Sequence, residues 1–224
     1  MQAIANARSA IFDMDGLLLD TEIIYTEVTQ EIVSRFGKVF DWSIKANMIG
    51  RSSHWSANYL VQTLDLPITA EQYMEERDSK LREKFPGCEA MPGAEALVRE
   101  LNAMGIPMAL ATSSYRDLYE LKIQRHRDWF DLFDGVVTGD DPEVGSAKPA
   151  PDIFLTAARR IGVQPDTSLV FEDAPSGLQA GIAAGMKVLC VPDPNMDRSR
   201  YNDATLVLDS LLDFDHKASF SAGS

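Results

Sequence analysis

Two aspartates stand one residue apart at the end of an apolar run, in AIFDMDG at positions 10–16. Carboxylates this close, Asp13 and Asp15, repel each other unless a cation or hydrogen-bond donors offset their charge. Three other stretches carry complementary groups: Thr112 and Ser113 after an apolar run, Lys148 ahead of a proline, and the carboxylates of Glu172 and Asp173 after SLVF. A hard cation such as Mg²⁺ takes oxygen ligands in octahedral geometry and keeps several waters. Asp13 and Asp173 can each give one carboxylate oxygen, and the backbone carbonyl at Asp15 a third. The Thr112 hydroxyl, the Ser113 amide and the Lys148 ammonium can hold the oxygens of a phosphoryl group. Singly, each feature has a plain structural reading. An Asp-x-Asp is usually a strand end entering a loop. Lys-Pro and Glu-Asp are usually solvated loop charges. Thr-Ser is more often a helix cap, with Ser113 or Ser114 capping a helix that begins near Tyr115. Their shared position relative to the secondary structure is what joins them.

That position follows from the apolar pattern. SAIFD (9–13), PMALAT (107–112), DGVVTG (134–139), SLVFED (168–173) and KVLCVPD (187–193) are compact apolar runs, with a weaker sixth at ATLVLD (204–209). Each suits a strand covered on both faces. Helical patterns lie between them at 93–104, 151–162 and about 175–184. Alternation of this kind predicts an α/β fold, a doubly wound parallel sheet. Ligands of such sheets bind beyond the carboxyl ends of the strands, and every group named above follows a strand. Residues 22 to about 86 break the rhythm: Ile24, Val28, Ile32 and Phe36 recur at helical spacing, and the stretch has no convincing strand. The expected organisation is a Rossmann-like core at 1–20 and 88–224 with a helical insertion at 21–87.

Composition narrows the partners. The chain has 224 residues, 45% hydrophobic and 25% charged, with a formal net charge of -13. This acidity argues against a nucleic-acid polymer as partner, and calls for a local cation if the ligand is itself anionic. No apolar run reaches the roughly 18 residues a membrane helix needs. The N-terminal apolar segment runs into acids, unlike a signal peptide. Two cysteines without a CxxC spacing suit a reducing, cytoplasmic setting. The expectation is a soluble protein, monomeric by default, with no membrane or nucleic-acid partner and a small phosphorylated metabolite as ligand.

At this point the sequence resembles the haloacid dehalogenase-like hydrolase superfamily. FDMDG resembles its first motif, ALATS the second, AKPAPDIF the third and FEDAPSG the fourth. The insertion resembles the helical cap of the β-phosphoglucomutase-like branch. DGLLLDTE, ALATSS, GDDPEV, KPAPDIF, LVFEDAPSG and ATLVLDSLLDF together are similar to the pseudouridine-5'-phosphatase group. The resemblance implies a Mg²⁺-dependent phosphomonoesterase that acts on a small phosphorylated metabolite through an aspartyl phosphate. The leading substrate is a nucleoside 5'-monophosphate such as pseudouridine 5'-phosphate; the alternatives are glycerol phosphate, a sugar phosphate or flavin mononucleotide.

The same resemblance implies roles. Asp13 is the nucleophile. Asp15 gives a proton to the departing alkoxide and then takes one from water. Thr112, Ser113 and Lys148 bind phosphoryl oxygens, and Asp173 binds the metal with Asp13 and the Asp15 carbonyl. Glu172 orients Lys148 or a metal-bound water. Substrate choice falls to the insertion, where Glu22, Tyr25 and Arg51 are candidates. Glu22 also suits the first turn of a helix as a plain acid, and Arg51 also reads as a solvated loop charge. Phosphomutases of this branch carry a histidine at the position matching Tyr25. A phenol with a reference pKa of about 10 replaces it poorly near neutral pH, so hydrolysis is expected. A phosphorylatable receiver domain fits less well, because it lacks a cap and a second acid. A dehalogenase fits less well because Asp15 and Asp173 are both present.

Overall fold

The structure is a computed structural model that describes residues 4, 7–49 and 53–220. Strand β1 (Ser9–Phe12) is buried along its whole length, and its side chains divide between two cores. Ala10 and Phe12 join one apolar cluster and Ile11 the other. This is the period-two alternation of a strand covered on both faces. The same division holds in β2 (Met108–Ala111), β4 (Ser168–Glu172) and β5 (Lys187–Cys190). Leu110, Phe171 and Leu189 face one core while Ala109, Val170 and Val188 face the other. With β3 (Gly135–Val137) and β6 (Leu206–Val207) they form one six-stranded sheet in the order β3-β2-β1-β4-β5-β6. Every pair is parallel. The expected sixth strand shrinks to two residues, because Leu206 and Val207 lie at the sheet edge and pair with β5 alone.

Helices cover both faces. Helix α5 (Ala94–Ala103) buries Ala94, Leu97, Val98 and Leu101 at helical spacing against one face. Helices α8 (Asp152–Arg160) and α9 (Pro175–Ala183) cover the other through residues such as Phe154, Ala157 and Leu178. The register sets the strand ends level: Phe12 lies opposite both Leu110 and Phe171. The residues that follow these three therefore leave the sheet side by side.

Between β1 and α5 the chain forms α1 (Thr21–Ser34), α2 (Trp42–Met48), α3 (Ser53–Thr63) and α4 (Ala70–Lys84). The stripe Ile24, Val28 and Ile32 of α1 is buried. Thr29 on α1 and the Tyr73 hydroxyl on α4 hydrogen-bond at 2.9 Å. Helix α4 starts with a reciprocal capping box, in which Gln72 N–H donates to the Thr69 hydroxyl and Thr69 N–H to the Gln72 side chain. Helix α6 (Arg116–Lys122) departs from the expected capping. Its first residue is preceded by Tyr115, which makes no side-chain cap bond, and Asp140 accepts the free Arg116 N–H instead. The hydroxyl of Ser114 is thereby released for the site described below. The remaining α-helices among the described residues are α7 (Arg127–Phe130) and α10 (His216–Ser219).

Candidate active site

Asp13 follows β1 directly and its N–H donates to the Phe171 carbonyl of β4, so the sheet itself fixes it beside Glu172. Lys148 arrives from the loop between β3 and α8. Its ammonium donates to Asp13 Oδ1 at 2.5 Å, to Glu172 Oε1 at 2.6 Å and to the Ala111 carbonyl at 3.2 Å. Glu172 Oε2 accepts the backbone N–H groups of Asp173 and Ala174, both at 3.0 Å. Room for that carboxylate comes from Gly177, where a Cβ would stand 1.7 Å from Glu172 Oε1.

Asp13, Glu172 and Asp173 place one oxygen each within 4.8 Å of one another. With all three ionised, one ammonium among three carboxylates leaves two negative charges over. Burial pushes the Asp13 carboxyl up to about 7, with Glu172 and Asp15 adding to the effect of burial and Lys148 opposing it. Asp173 is pushed well above the usual carboxylate range by burial and by the charges of Glu172 and Asp13. Among the described residues no hydrogen bond reaches the Asp173 carboxylate. Gly16, at φ +80°, passes so close that a Cβ there would meet Asp173 Oδ2 at 2.4 Å. A charge deficit of two, hard oxygen donors and an orphaned carboxylate fit a divalent cation of the Mg²⁺ type.

Asp15 faces elsewhere. Its carboxylate lies outside the three-carboxylate group. Thr21 donates to Oδ1 at 2.7 Å and Ser114 to Oδ2 at 2.8 Å. The buried ammonium of Lys122 reaches Oδ1 at 2.5 Å. Burial alone would raise the Asp15 pKa, but the Lys122 charge and the bonds from Lys122, Thr21 and Ser114 outweigh it and hold the carboxyl below its ordinary range. Thr112 also turns this way. It is fully buried, its Oγ1 accepts the Ser114 N–H at 3.0 Å and lies 3.4 Å from Asp15 Oδ2. Of the expected phosphate-binding pair, therefore, Ser113 lines the cavity and the Thr112 hydroxyl is occupied beneath it.

The acidic end opens into a cavity of about 300 Å³ whose far wall is the helical insertion. Glu22 and Tyr25 both line it. Glu22 pairs with Lys45 of α2 at 3.0 Å, and Lys45 also donates to the Thr26 hydroxyl at 2.8 Å. Burial raises the Tyr25 phenol above its ordinary pKa. Thr29, Tyr73 and Arg77 complete the polar wall. Arg51 lies outside the described residues.

Four groups escape a reading of the sequence: Lys122, Ser114, Thr21 and Lys45. Lys122 alone leaves a trace. Tyr119, Lys122, Ile123 and His126 are all buried, so the lysine occupies an apolar-face position at spacing i, i+3, i+4, i+7.

Comparison with known proteins identifies the family. The profile of the haloacid dehalogenase-like hydrolase family matches residues 7–185. An Arabidopsis thaliana protein named "(DL)-glycerol-3-phosphatase 1, mitochondrial" is 51% identical over 209 residues, covering 91% of this chain and 70% of that one. A Drosophila melanogaster protein named "Probable pseudouridine-5'-phosphatase" is 45% identical over 207 residues, covering 91% and 90% of the two chains. The crystal structure of β-phosphoglucomutase from Clostridium difficile shares the fold, with a TM-score of 0.74, 21% identity and 94% of each chain covered. Among the described residues no helix is long and apolar enough to cross a membrane.

Proposed function

The chain belongs to the haloacid dehalogenase-like hydrolase family and is a phosphoric monoester hydrolase, and on that premise we propose a Mg²⁺-dependent route through an aspartyl phosphate on Asp13. The observation that carries the proposal is the level exit of Asp13, Glu172 and Asp173 from adjacent strands, with Lys148 between the first two and a deficit of two positive charges. Asp13, Asp173 and the Asp15 backbone carbonyl would hold the ion. When bound, it supplies positive charge against the phosphoryl oxygens.

Asp13 attacks phosphorus, and the bond from phosphorus to the alcohol oxygen breaks. Lys148 and Ser113 bind the phosphoryl oxygens, and Lys148 offsets the charge that the attacking carboxylate would otherwise meet. Asp15 is ionised at rest, so it first takes the proton that a phosphate monoanion brings in and then gives it to the leaving alkoxide. The resulting carboxylate then takes a proton from the water that attacks the aspartyl phosphate. The bond from phosphorus to Asp13 breaks, and inorganic phosphate leaves. The ionised Asp15 held by Lys122 and Thr21 matches the second half of this cycle. Hydrolysis rather than phosphoryl shuffling follows from Tyr25, whose raised pKa makes it a weak proton carrier near neutrality.

Segment 21–87 acts as the cap that selects the alcohol. The cavity stands near the lower end of the ~300–1,000 Å³ range of small-molecule sites, and a phosphoryl group and an ion would take up part of it. Its cap wall carries hydroxyl and charged groups from Glu22, Thr26, Thr29, Lys45 and Tyr73. Phe40, Met48 and Ile49 line the same cavity, so its small volume rather than the polar groups alone favours a short polyol monoester such as glycerol 3-phosphate, in line with the name of the relative at 51% identity. A nucleoside 5'-monophosphate is the second reading, in line with the name of the relative at 45%. Free, buried Cys88 and Cys190 suit a reducing cytoplasm, and the monomer is the working form. Phosphate release with Mg²⁺ or EDTA tests the reading on glycerol 3-phosphate, pseudouridine 5'-phosphate and flavin mononucleotide. The expected kcat/KM favours glycerol 3-phosphate by at least ~10-fold, the size of a pocket-fit effect. A reversed order moves the assignment to the nucleotide, and no Mg²⁺-dependent release from any monoester refutes the hydrolase route.

A further inference from the structure

Lys122 is a buried cation that none of the four catalytic motifs contains. It ends α6, and its side chain has no exposed surface. Its ammonium contacts Asp15 Oδ1 at 2.5 Å and Ser114 Oγ at 2.8 Å. It lies 4.4 Å from the ring centre of Phe85 and 5.6 Å from that of Tyr25. Its carbonyl accepts the Cys88 thiol. Tyr25 is near the start of the helical insertion, and Phe85 and Cys88 are at its return.

Burying an ammonium is costly unless it is paired. An apolar side chain would fill the space between two aromatic rings at lower cost. Asp15, by contrast, lines the open cavity and could be solvated without a buried partner. The arrangement thus serves the direction of the carboxylate. Lys122 and Thr21 hold one oxygen and Ser114 the other, and Ser114 is itself tied to Lys122. A carboxylate fixed through both oxygens cannot rotate freely about its last bond. We propose that Lys122 is the positioning residue of Asp15 and sets its aim at the leaving oxygen; the proposal rests on the acid–base role given to Asp15 above.

An alkoxide leaving group needs a proton from an aimed acid, whereas p-nitrophenolate leaves without one. The test is therefore the ratio of kcat/KM for glycerol 3-phosphate, or the alkyl monoester ranked first in the screen above, to that for p-nitrophenyl phosphate. Asp15→Asn calibrates the ratio and is expected to lower it by about 10²-fold, the lower range for general acid catalysis. Lys122→Met should lower it by at least ~10-fold, and Lys122→Gln, whose amide still donates, should restore part of the loss. A Lys122→Met enzyme that loses both activities equally, with the ratio kept, has only lost structure and overturns the proposal. Should that variant not fold, Lys122→Gln and Ser114→Ala decide, since each weakens the same support; an unchanged ratio in both overturns it. An unchanged ratio in Asp15→Asn instead removes the role assigned to Asp15, a failure distinct from that of Lys122.

Discussion

Replacing Asp13 with asparagine should make the metal-free protein more stable. Asp13 sits among Glu172, Asp173 and Asp15 with one ammonium in contact, and its carboxyl rises from 3.8 to about 7. At about 1.4 kcal/mol for each pH unit, its ionised form destabilises the fold by on the order of 4 kcal/mol above pH 7. An asparagine in its place would carry no charge and keep nearly the same shape. In EDTA at pH 8, Asp13→Asn should therefore gain up to about 4 kcal/mol, or roughly 8–16 °C in Tm for a chain of this size. The folded pKa exceeds the unfolded one, so the native state binds more protons between about pH 4 and 7. Metal-free wild type should thus gain stability as pH falls through that window, and Asp13→Asn should lose the part of this slope that Asp13 supplies while Asp173, whose carboxyl is also raised, keeps the rest. Saturating Mg²⁺ should narrow the gap, because a bound cation offsets the same charge. Urea unfolding followed by tryptophan fluorescence measures all three. A variant no more stable than wild type in EDTA, or a gain that Mg²⁺ leaves untouched, would refute the account of the site as a charge deficit awaiting a cation.

Gly177→Ala places a methyl group where Glu172 Oε1 now lies. It should displace the carboxylate that holds Lys148 and lower kcat by about 10²-fold, the effect of a misplaced catalytic group; a wild-type kcat with a normal circular dichroism spectrum contradicts this. Thr69→Ala removes one half of the α4 capping box and should cost about 1 kcal/mol in urea unfolding, and an unchanged urea midpoint would show that the cap adds nothing.

The legible parts of the sequence were those where one local rule decides the outcome. SAIFD reads as a buried strand because every residue of β1 is covered, and a parallel sheet sends the next side chains to its ligand-binding edge. That is why Asp13, Lys148, Glu172 and Asp173 group together on the sequence alone. Thr112 shows where the rule stops. Strand order brings it to the rim, but the turn that puts Ser114 N–H on its hydroxyl takes that hydroxyl away from the cavity. Ser114 reads as a cap because serines before helices usually are caps, while Asp140, distant in sequence, fills that need here. Lys122 is hidden for a related reason: a lysine in a charged helix is ordinarily solvated, and only the fold shows that Asp15 lies opposite. Lys45 meets Glu22 through a contact between two helices that share no motif.

Asp13 follows the third strand of a six-strand order, with β2 and β3 on one side and β4, β5 and β6 on the other. Strand edges open at small free-energy cost, whereas central strands open only with the whole domain. Transient fraying of the two-residue β6 can thus pass without consequence for Asp13, whose amide is tied to β4. Slow amide exchange at Asp13 should track global unfolding, and catalytic competence should vanish in step with the cooperative transition, leaving no folded but inert species between.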